Sequence, residues 1–228
     1  MKALVLLSGG IDSTTALALA VRQYGRDDTA ALAVRYGQRH DKELNAAGAV
    51  AAHYGVPLKI IDLSVIFSNS DSSLLKGSDA ALPQGSYAEQ ISEADASTVS
   101  TYVPYRNGLF LSAAASIALG LGCESLWYGA HADDQAGAAY PDCSPAFHRA
   151  ISESIDEGSG HALKVEAPFI DKTKGEIVKI GLEIGVPYEL TWSCYAGEDK
   201  PCGQCATCID RARAFAENGV ADPALTRD

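Results

Sequence analysis

No apolar run in this chain reaches the roughly 20 residues that a membrane-spanning helix needs. Its N-terminus lacks the basic stretch and apolar core of a secretory signal, and a strand pattern begins almost at Met1. The expectation is a cytoplasmic protein with no membrane partner. Positive charge is also short: 18 Lys and Arg stand against 29 Asp and Glu, a formal net charge of −11. A non-specific nucleic-acid binder is normally basic, so no stable nucleic-acid complex is expected. A nucleotide-sized ligand held by local donors is still allowed. Two common nucleotide motifs are missing as well. No Gly-Lys-Ser/Thr follows the glycines near the N-terminus, which excludes a Walker A loop, and no G-x-G-x-x-G stands there. The chain has no internal repeat.

What the chain has near its start is Ser8-Gly9-Gly10-Ile11-Asp12-Ser13-Thr14-Thr15, set between a strand pattern (Ala3 to Leu7) and a helix pattern (Ala16 to Val21). A strand-to-helix turn points backbone N–H groups outward at the positive end of the helix dipole. Gly9 and Gly10 are expected to take positive φ and approach an anion closely. Ser8, Ser13 and Thr14 add hydroxyls. Such a nest suits phosphate or pyrophosphate. The plainer alternative is a strand–turn–helix with small capping residues. The string S-G-G-x-D-S resembles the PP-loop of ATP pyrophosphatases. That resemblance implies ATP held along Leu7, Ser8, Gly9, Gly10, Ile11, Asp12, Ser13, Thr14, Thr15, Ala16 and Leu17, and adenylation of a carbonyl oxygen with loss of pyrophosphate.

At 228 residues and 47% hydrophobic content, one globular domain with a small appendage is expected. Further strands are predicted at Thr29–Tyr36, Leu58–Asp62, Ser125–Gly129 and Leu163–Ala167. Helices are predicted from Asp41, over Gly108–Leu121, from Pro145 to about Asp156, and over Thr173–Ile184. This alternation predicts an α/β fold: a Rossmann-like parallel sheet of the PP-loop type, with helices on both faces. Ligands of such sheets lie beyond the carboxyl ends of the strands. Tyr36, Gln38 and Arg39 would share that edge with the loop. The stretch 64–100, rich in Ser, Asp, Gly and Ala, is expected to be a partly ordered insertion or cover within a 1–190 domain.

Residues 191–228 carry Cys194, Cys202, Cys205 and Cys208 in the pattern C-x7-C-x2-C-x2-C. Six cysteines in a cytoplasmic chain suggest metal or catalysis rather than disulfides. Four thiolates with no open position describe a structural Zn²⁺ knuckle. The bacterial ferredoxin pattern wants a further cysteine after three residues, then proline, and Cys208 is the last cysteine. Zinc is therefore preferred over an iron–sulfur cluster. Cys123 reads as a small buried hydrophobe and Cys143 as packing or a substrate wall.

The loop, Gln38-Arg39-His40, Val103-Pro104-Tyr105-Arg106-Asn107, Tyr140-Pro141-Asp142-Cys143 and the cysteine knuckle together resemble the 7-cyano-7-deazaguanine synthase family, over nearly the whole chain. The resemblance implies 7-carboxy-7-deazaguanine, ammonia and ATP as substrates, Mg²⁺ on the phosphates near Asp12, and a homodimer. Two successive adenylations would turn the acid into an amide and the amide into a nitrile. Asp12, Ser13 and Arg106 are the expected catalytic residues. Tyr36, Gln38, Arg39, Arg106, Asn107, Asp134, Tyr140 and Asp142 are the expected substrate contacts. Asp134 or Asp142 would accept the N–H groups of a guanine-like edge, or else cap a helix. His131, Lys172 and Lys174 read more simply as solvated. The chain departs from the pattern in two places: Tyr105 stands where the family has glycine, and Gly129-Ala130-His131-Ala132-Asp133-Asp134 replaces a Gly-Val-x-Glu-Thr-Asp-type segment. Two other readings remain: a PP-loop enzyme that activates a carbonyl on a protein or tRNA, and a nucleotide sensor without turnover.

Overall fold

Five strands form one parallel sheet: β1 (Ala3–Leu6), β2 (Thr29–Arg35), β3 (Leu58–Asp62), β4 (Ser125–Trp127) and β5 (Lys164–Glu166), in the order β3-β2-β1-β4-β5. The structure, a computed structural model, describes residues 1–87, 89–90, 99–133 and 140–225. Ala3 of β1 pairs with Thr29 on one side and Ser125 on the other. The chain thus winds outward one way through β2 and β3, then crosses back to β4 and β5. Beside β1 the winding direction reverses, and such a switch opens a crevice at the carboxyl ends of the strands.

Six α-helices are described: α1 (Ile11–Tyr24), α2 (Lys42–Tyr54), α3 (Arg106–Gly120), α4 (Pro145–Gly158), α5 (Lys174–Ile184) and α6 (Ala206–Glu217). Strand side chains alternate between faces, and the core divides accordingly. Ala3, Val5, Ala31, Ala33 and Trp127 face one layer, packed by α1, α2, α5 and α6 through Leu17, Val50, Ile177 and Phe215. Leu4, Leu32 and Leu126 face the other, packed by α3 and α4 through Leu111, Ala114 and Ile151. The expected fold class, with helices on both faces, is what forms. None of the described helices is long and apolar enough to cross a membrane.

Local chemistry sets several element ends. A capping box starts α5, where the Thr173 hydroxyl accepts from the Glu176 N–H and the Glu176 carboxylate accepts from Thr173. Pro145 opens α4 behind the capping Ser144. The start of α3 lies at Arg106, before the expected Gly108. Tyr105 precedes it in left-handed backbone, at φ 55°. That conformation favours glycine, which explains the glycine of the family pattern.

The C-terminal helix α6 was not expected. Ala214 and Phe215 put it in the first core layer, with Phe215 edge-on to Tyr188 at 5.4 Å. Buried Arg211 anchors it, donating to both carboxylate oxygens of Asp222 (2.6 and 2.9 Å) and to the hydroxyl of Thr191. Within 64–100, Phe67, Leu74 and Leu75 are buried with Val34, Tyr36 and Val103. The Gly85 N–H donates to the carbonyl of Gln204 in the cysteine segment. Residues 88 and 91–98 lie outside the described set.

Candidate active site

The crevice at the strand ends is a cavity of about 240 Å³. Its floor is the turn between β1 and α1. Ser8 and Ser13 close that turn on themselves: their hydroxyls lie 3.0 Å apart, and the Ser8 N–H donates to the Ser13 hydroxyl. No side chain caps α1 at its N-terminus. Its first N–H groups are therefore left for a ligand, as an anion site requires. Gly9 takes φ +87°, as expected, but for a different reason than ligand approach alone: a Cβ there would stand 2.4 Å from the carbonyl oxygen of Glu43 in α2. Gly10 corrects the sequence reading. Its φ is −82°, ordinary extended backbone that begins the helix.

Asp12 projects from the first turn of α1 into the cavity. Its Oδ2 lies 3.4 Å from Lys174 Nζ and 3.6 Å from His131 Nε2. Burial opposes the charged carboxyl, but Lys174 and His131 outweigh it and hold the group well below the usual carboxylate range. Asp12 Oδ1 is buried and has no hydrogen-bond partner among the described residues. The solvated readings of His131 and Lys174 are thereby overturned. His131 is 1% exposed, and Lys174 lines the cavity. Both reach Asp12 across long sequence separations, so local composition gave no sign of it.

The facing wall is aromatic and carries one cation. Tyr36 follows β2 directly, and Arg106 lies 5.3 Å above its ring. Phe110 packs against Tyr36 at 5.7 Å. Burial opposes the charge of Arg106, but Tyr36, Tyr140 and Tyr195 around it more than compensate, so it stays a guanidinium. Tyr140 shares a 2.6 Å hydrogen bond with Thr101, and Tyr87 shares one of 2.7 Å with Tyr195. Trp192, Ser193 and Tyr195, all from the cysteine segment, line the same cavity. The sequence reading missed these three and Glu43. Glu43 stands in the first turn of α2, where burial raises its carboxyl to about 7 despite the partial opposition of Arg106.

The four sulfurs of Cys194, Cys202, Cys205 and Cys208 lie within 4.8 Å of one another. Backbone N–H groups of Cys202 and Cys205 point at the sulfurs of Cys194 and Cys202, at 3.3 and 3.4 Å. This donor set and its N–H support fit a tetrahedral thiolate site.

Of the expected ATP residues, Leu7, Ser8, Gly10, Asp12 and Ser13 line the cavity. Ile11, Thr14, Thr15, Ala16 and Leu17 are buried beneath it, and the Thr15 hydroxyl bonds to Tyr188 and to the Ile11 carbonyl. Of the expected substrate residues, Tyr36, Gln38, Arg106, Asn107 and Tyr140 line it, as does Cys143. Arg39 instead donates to the carbonyls of Ser73, Ser78 and Ala80, tying down the 64–100 segment. Asp142 is buried and accepts from the Asn107 N–H at 2.8 Å, capping the start of α3. Asp134 lies outside the described residues.

The model of the family described as "Queuosine biosynthesis protein QueC" matches residues 2–219. Curated proteins named 7-cyano-7-deazaguanine synthase are similar along nearly the full length. The one from Methanoregula boonei is 42% identical, covering 98% of both chains. That from Caldicellulosiruptor saccharolyticus is 44% identical over 98% of this chain and 94% of its own. That from Marinobacter nauticus is 42% identical over 96% and 94%. Among solved structures, an NMN synthetase from Francisella tularensis shares the fold at TM-score 0.50 and 15% identity, over 89% of this chain and 70% of its own. A U34-tRNA thiolase, NcsA from Methanococcus maripaludis, does so at 0.50 and 17%, over 82% and 58%.

Proposed function

The chain belongs to the QueC family of queuosine biosynthesis proteins, and from that premise we propose how its cavity carries out the reaction. The activity is that of the curated relatives, ATP-dependent synthesis of 7-cyano-7-deazaguanine. We read the substrates as 7-carboxy-7-deazaguanine, ammonia and ATP. The observation that carries this reading is that the anion-binding floor and Arg106 face one cavity.

The triphosphate lies on Ser8 to Ser13, with its charge met by the N-terminus of α1 and by Lys174. Arg106 holds the substrate carboxylate, and the tyrosines beside it supply a flat wall for the deazaguanine ring. A carboxylate is a poor electrophile because its charge and resonance repel a nucleophile. Its oxygen therefore attacks the α-phosphorus of ATP first, and pyrophosphate leaves. Ammonia then attacks the carbonyl carbon, the bond to AMP breaks, and the amide remains. A second ATP adenylates the amide oxygen. Loss of AMP and of the nitrogen-bound protons gives the nitrile. Enclosure of the site limits hydrolysis of the two adenylates.

Mg²⁺ fits beside Asp12, an ionised carboxyl with one oxygen lacking a hydrogen bond among the described residues, and would neutralise the phosphates there. Zn²⁺ suits Cys194, Cys202, Cys205 and Cys208, and would fix the segment that carries Trp192, Ser193 and Tyr195. A homodimer and a cytoplasmic location complete this reading; light scattering measures the first. Carbonyl activation on a macromolecule is not favoured, given the curated names of the relatives.

Mass spectrometry after incubation with Mg-ATP, ammonium and 7-carboxy-7-deazaguanine tests the scheme. Nitrile with AMP and pyrophosphate is expected. Formation of ADP and phosphate, or ATP binding without any turnover, would overturn it.

A further inference from the structure

Besides the main cavity the structure has a second, of about 10 Å³. That is roughly the space one water molecule requires, and ammonia is close to water in size. Tyr36, Gln38, Glu43 and Tyr195 line both cavities, so the small one adjoins the wall that carries Arg106. Gln38, Arg39, His40 and Glu43 bring polar side chains to its lining. Glu43 stands at the junction and, among the described residues, makes no side-chain hydrogen bond or ion pair. His40 also lines the small cavity. Its Nε2 lies 3.1 Å from the carbonyl oxygens of Cys194 and Tyr195 and must donate to them. Its Nδ1 is buried and, among the described residues, has no hydrogen-bond partner. The small cavity thus presents the Glu43 carboxyl, which makes no side-chain hydrogen bond among the described residues. A carboxylate so placed suits a small cation that donates hydrogen bonds.

We infer that the small cavity is an ammonium port, and that Glu43 receives ammonium there and takes a proton from it beside the activated carboxyl. The inference rests on the ligase reading given above. Ammonium has no lone pair and cannot attack until a base removes a proton. Acyl adenylate and ammonium together give amide, AMP dianion and two protons. The first proton passes from ammonium to the Glu43 carboxylate, forming an O–H bond, and then leaves to solvent. The nitrogen lone pair forms the C–N bond, and the C–O bond to AMP breaks with its electron pair on the phosphate. The second proton leaves the nitrogen on the departing AMP phosphate. The ionised form of Glu43 gains population as pH rises through about 7, which matches a base working near neutrality. The charged and titratable groups around it are Tyr36 just after β2, Arg106 on α3, Tyr195 from the cysteine segment, and Arg39 and His40 before α2. On its own helix, Lys42 is turned to Asp199 at 3.7 Å.

The test compares Glu43→Gln with the wild type in three assays. Substrate-dependent ATP–pyrophosphate exchange needs no ammonia and reports adenylation alone. Amide formation is then read with ammonium, and again with hydroxylamine, a nucleophile that is largely uncharged at neutral pH and needs no such base. The ratio of ammonium turnover to exchange is expected to fall about 100-fold or more in the variant. The hydroxylamine ratio should change several-fold at most. The ascending limb near pH 7 in the ammonium profile should vanish, and Glu43→Asp should restore part of it. Equal losses with both nucleophiles would show a packing role and overturn the port. So would wild-type ammonium kinetics in Glu43→Gln with exchange intact. Absence of exchange in the wild type would instead remove the ligase reading itself, and the port with it.

Discussion

The side of the cavity proposed for phosphate comes from one unbroken turn, Leu7 to Ser13, whereas the facing side gathers Tyr36, Tyr87, Arg106, Tyr140 and Tyr195 from separate segments. The turn gets its shape from contacts a few residues apart, such as Ser8 with Ser13. The facing wall depends on packing between distant parts, such as Tyr87 with Tyr195. An anion floor can be local because helix N–H groups point the same way in any helix. A wall shaped to one flat ring has no such ready-made element.

The comparison can be broken most sharply at the cysteine cluster. With the zinc proposed above bound there, a chelator should lower Tm by on the order of 10 °C, because sulfurs held within 4.8 Å would lose their common partner. If the two sides are as separate as they look, KM for the deazaguanine substrate should rise more than KM for ATP; equal rises would erase the distinction. On the other side, Asp12→Asn should reduce pyrophosphate exchange about 10²- to 10³-fold with a smaller change in Tm, since it removes the charge that Lys174 and His131 face.

Gly9→Ala probes how local the turn really is. Its added Cβ meets the Glu43 carbonyl in left-handed backbone, so thermal unfolding should show a loss of roughly 2–3 kcal/mol. A neutral result would mean that α2 yields and the turn stands alone. Tyr188→Phe removes a hydroxyl that pairs with Thr15 at 2.8 Å and donates to the Ile177 carbonyl at 3.2 Å. Denaturant titration should find about 1–2 kcal/mol lost, mostly the cost of groups left unpaired. Tyr105→Gly should have the smallest effect, within about 1 kcal/mol. Relief of left-handed strain is offset by unfolded-chain entropy and by loss of the ring contact to Phe147 at 6.1 Å.

Much of the fold was legible because it is periodic. Short apolar strand runs at Ala3–Leu6 and Thr29–Arg35, helix spacing after Asp41, and Pro145 behind Ser144 are local signals. The loop and the cysteine spacing were legible for the same reason. Helix α6 has Arg211, Ala214 and Phe215 at helical spacing, but its apolar face is short and is defined only once it packs on the first core layer. The sequence allows Asp142 as a base contact or as a cap, and its 2.8 Å hydrogen bond from the Asn107 N–H makes it a cap. Glu43 carried no signal: an acidic residue in the first turn of a helix is commonplace.

The sequence by itself determined the alternation of strands and helices as far as α5, the glycine turn between β1 and α1 and the spacing of the four cysteines, since propensity, glycine placement and residue spacing act over a few residues. Only the tertiary structure decided which charges surround Asp12, that His131 is buried and Lys174 half-buried beside it, and that Glu43 sits near Arg106 with a carboxyl raised to about 7. Coulomb interaction and desolvation depend on distance and burial, and neither is defined until remote segments meet.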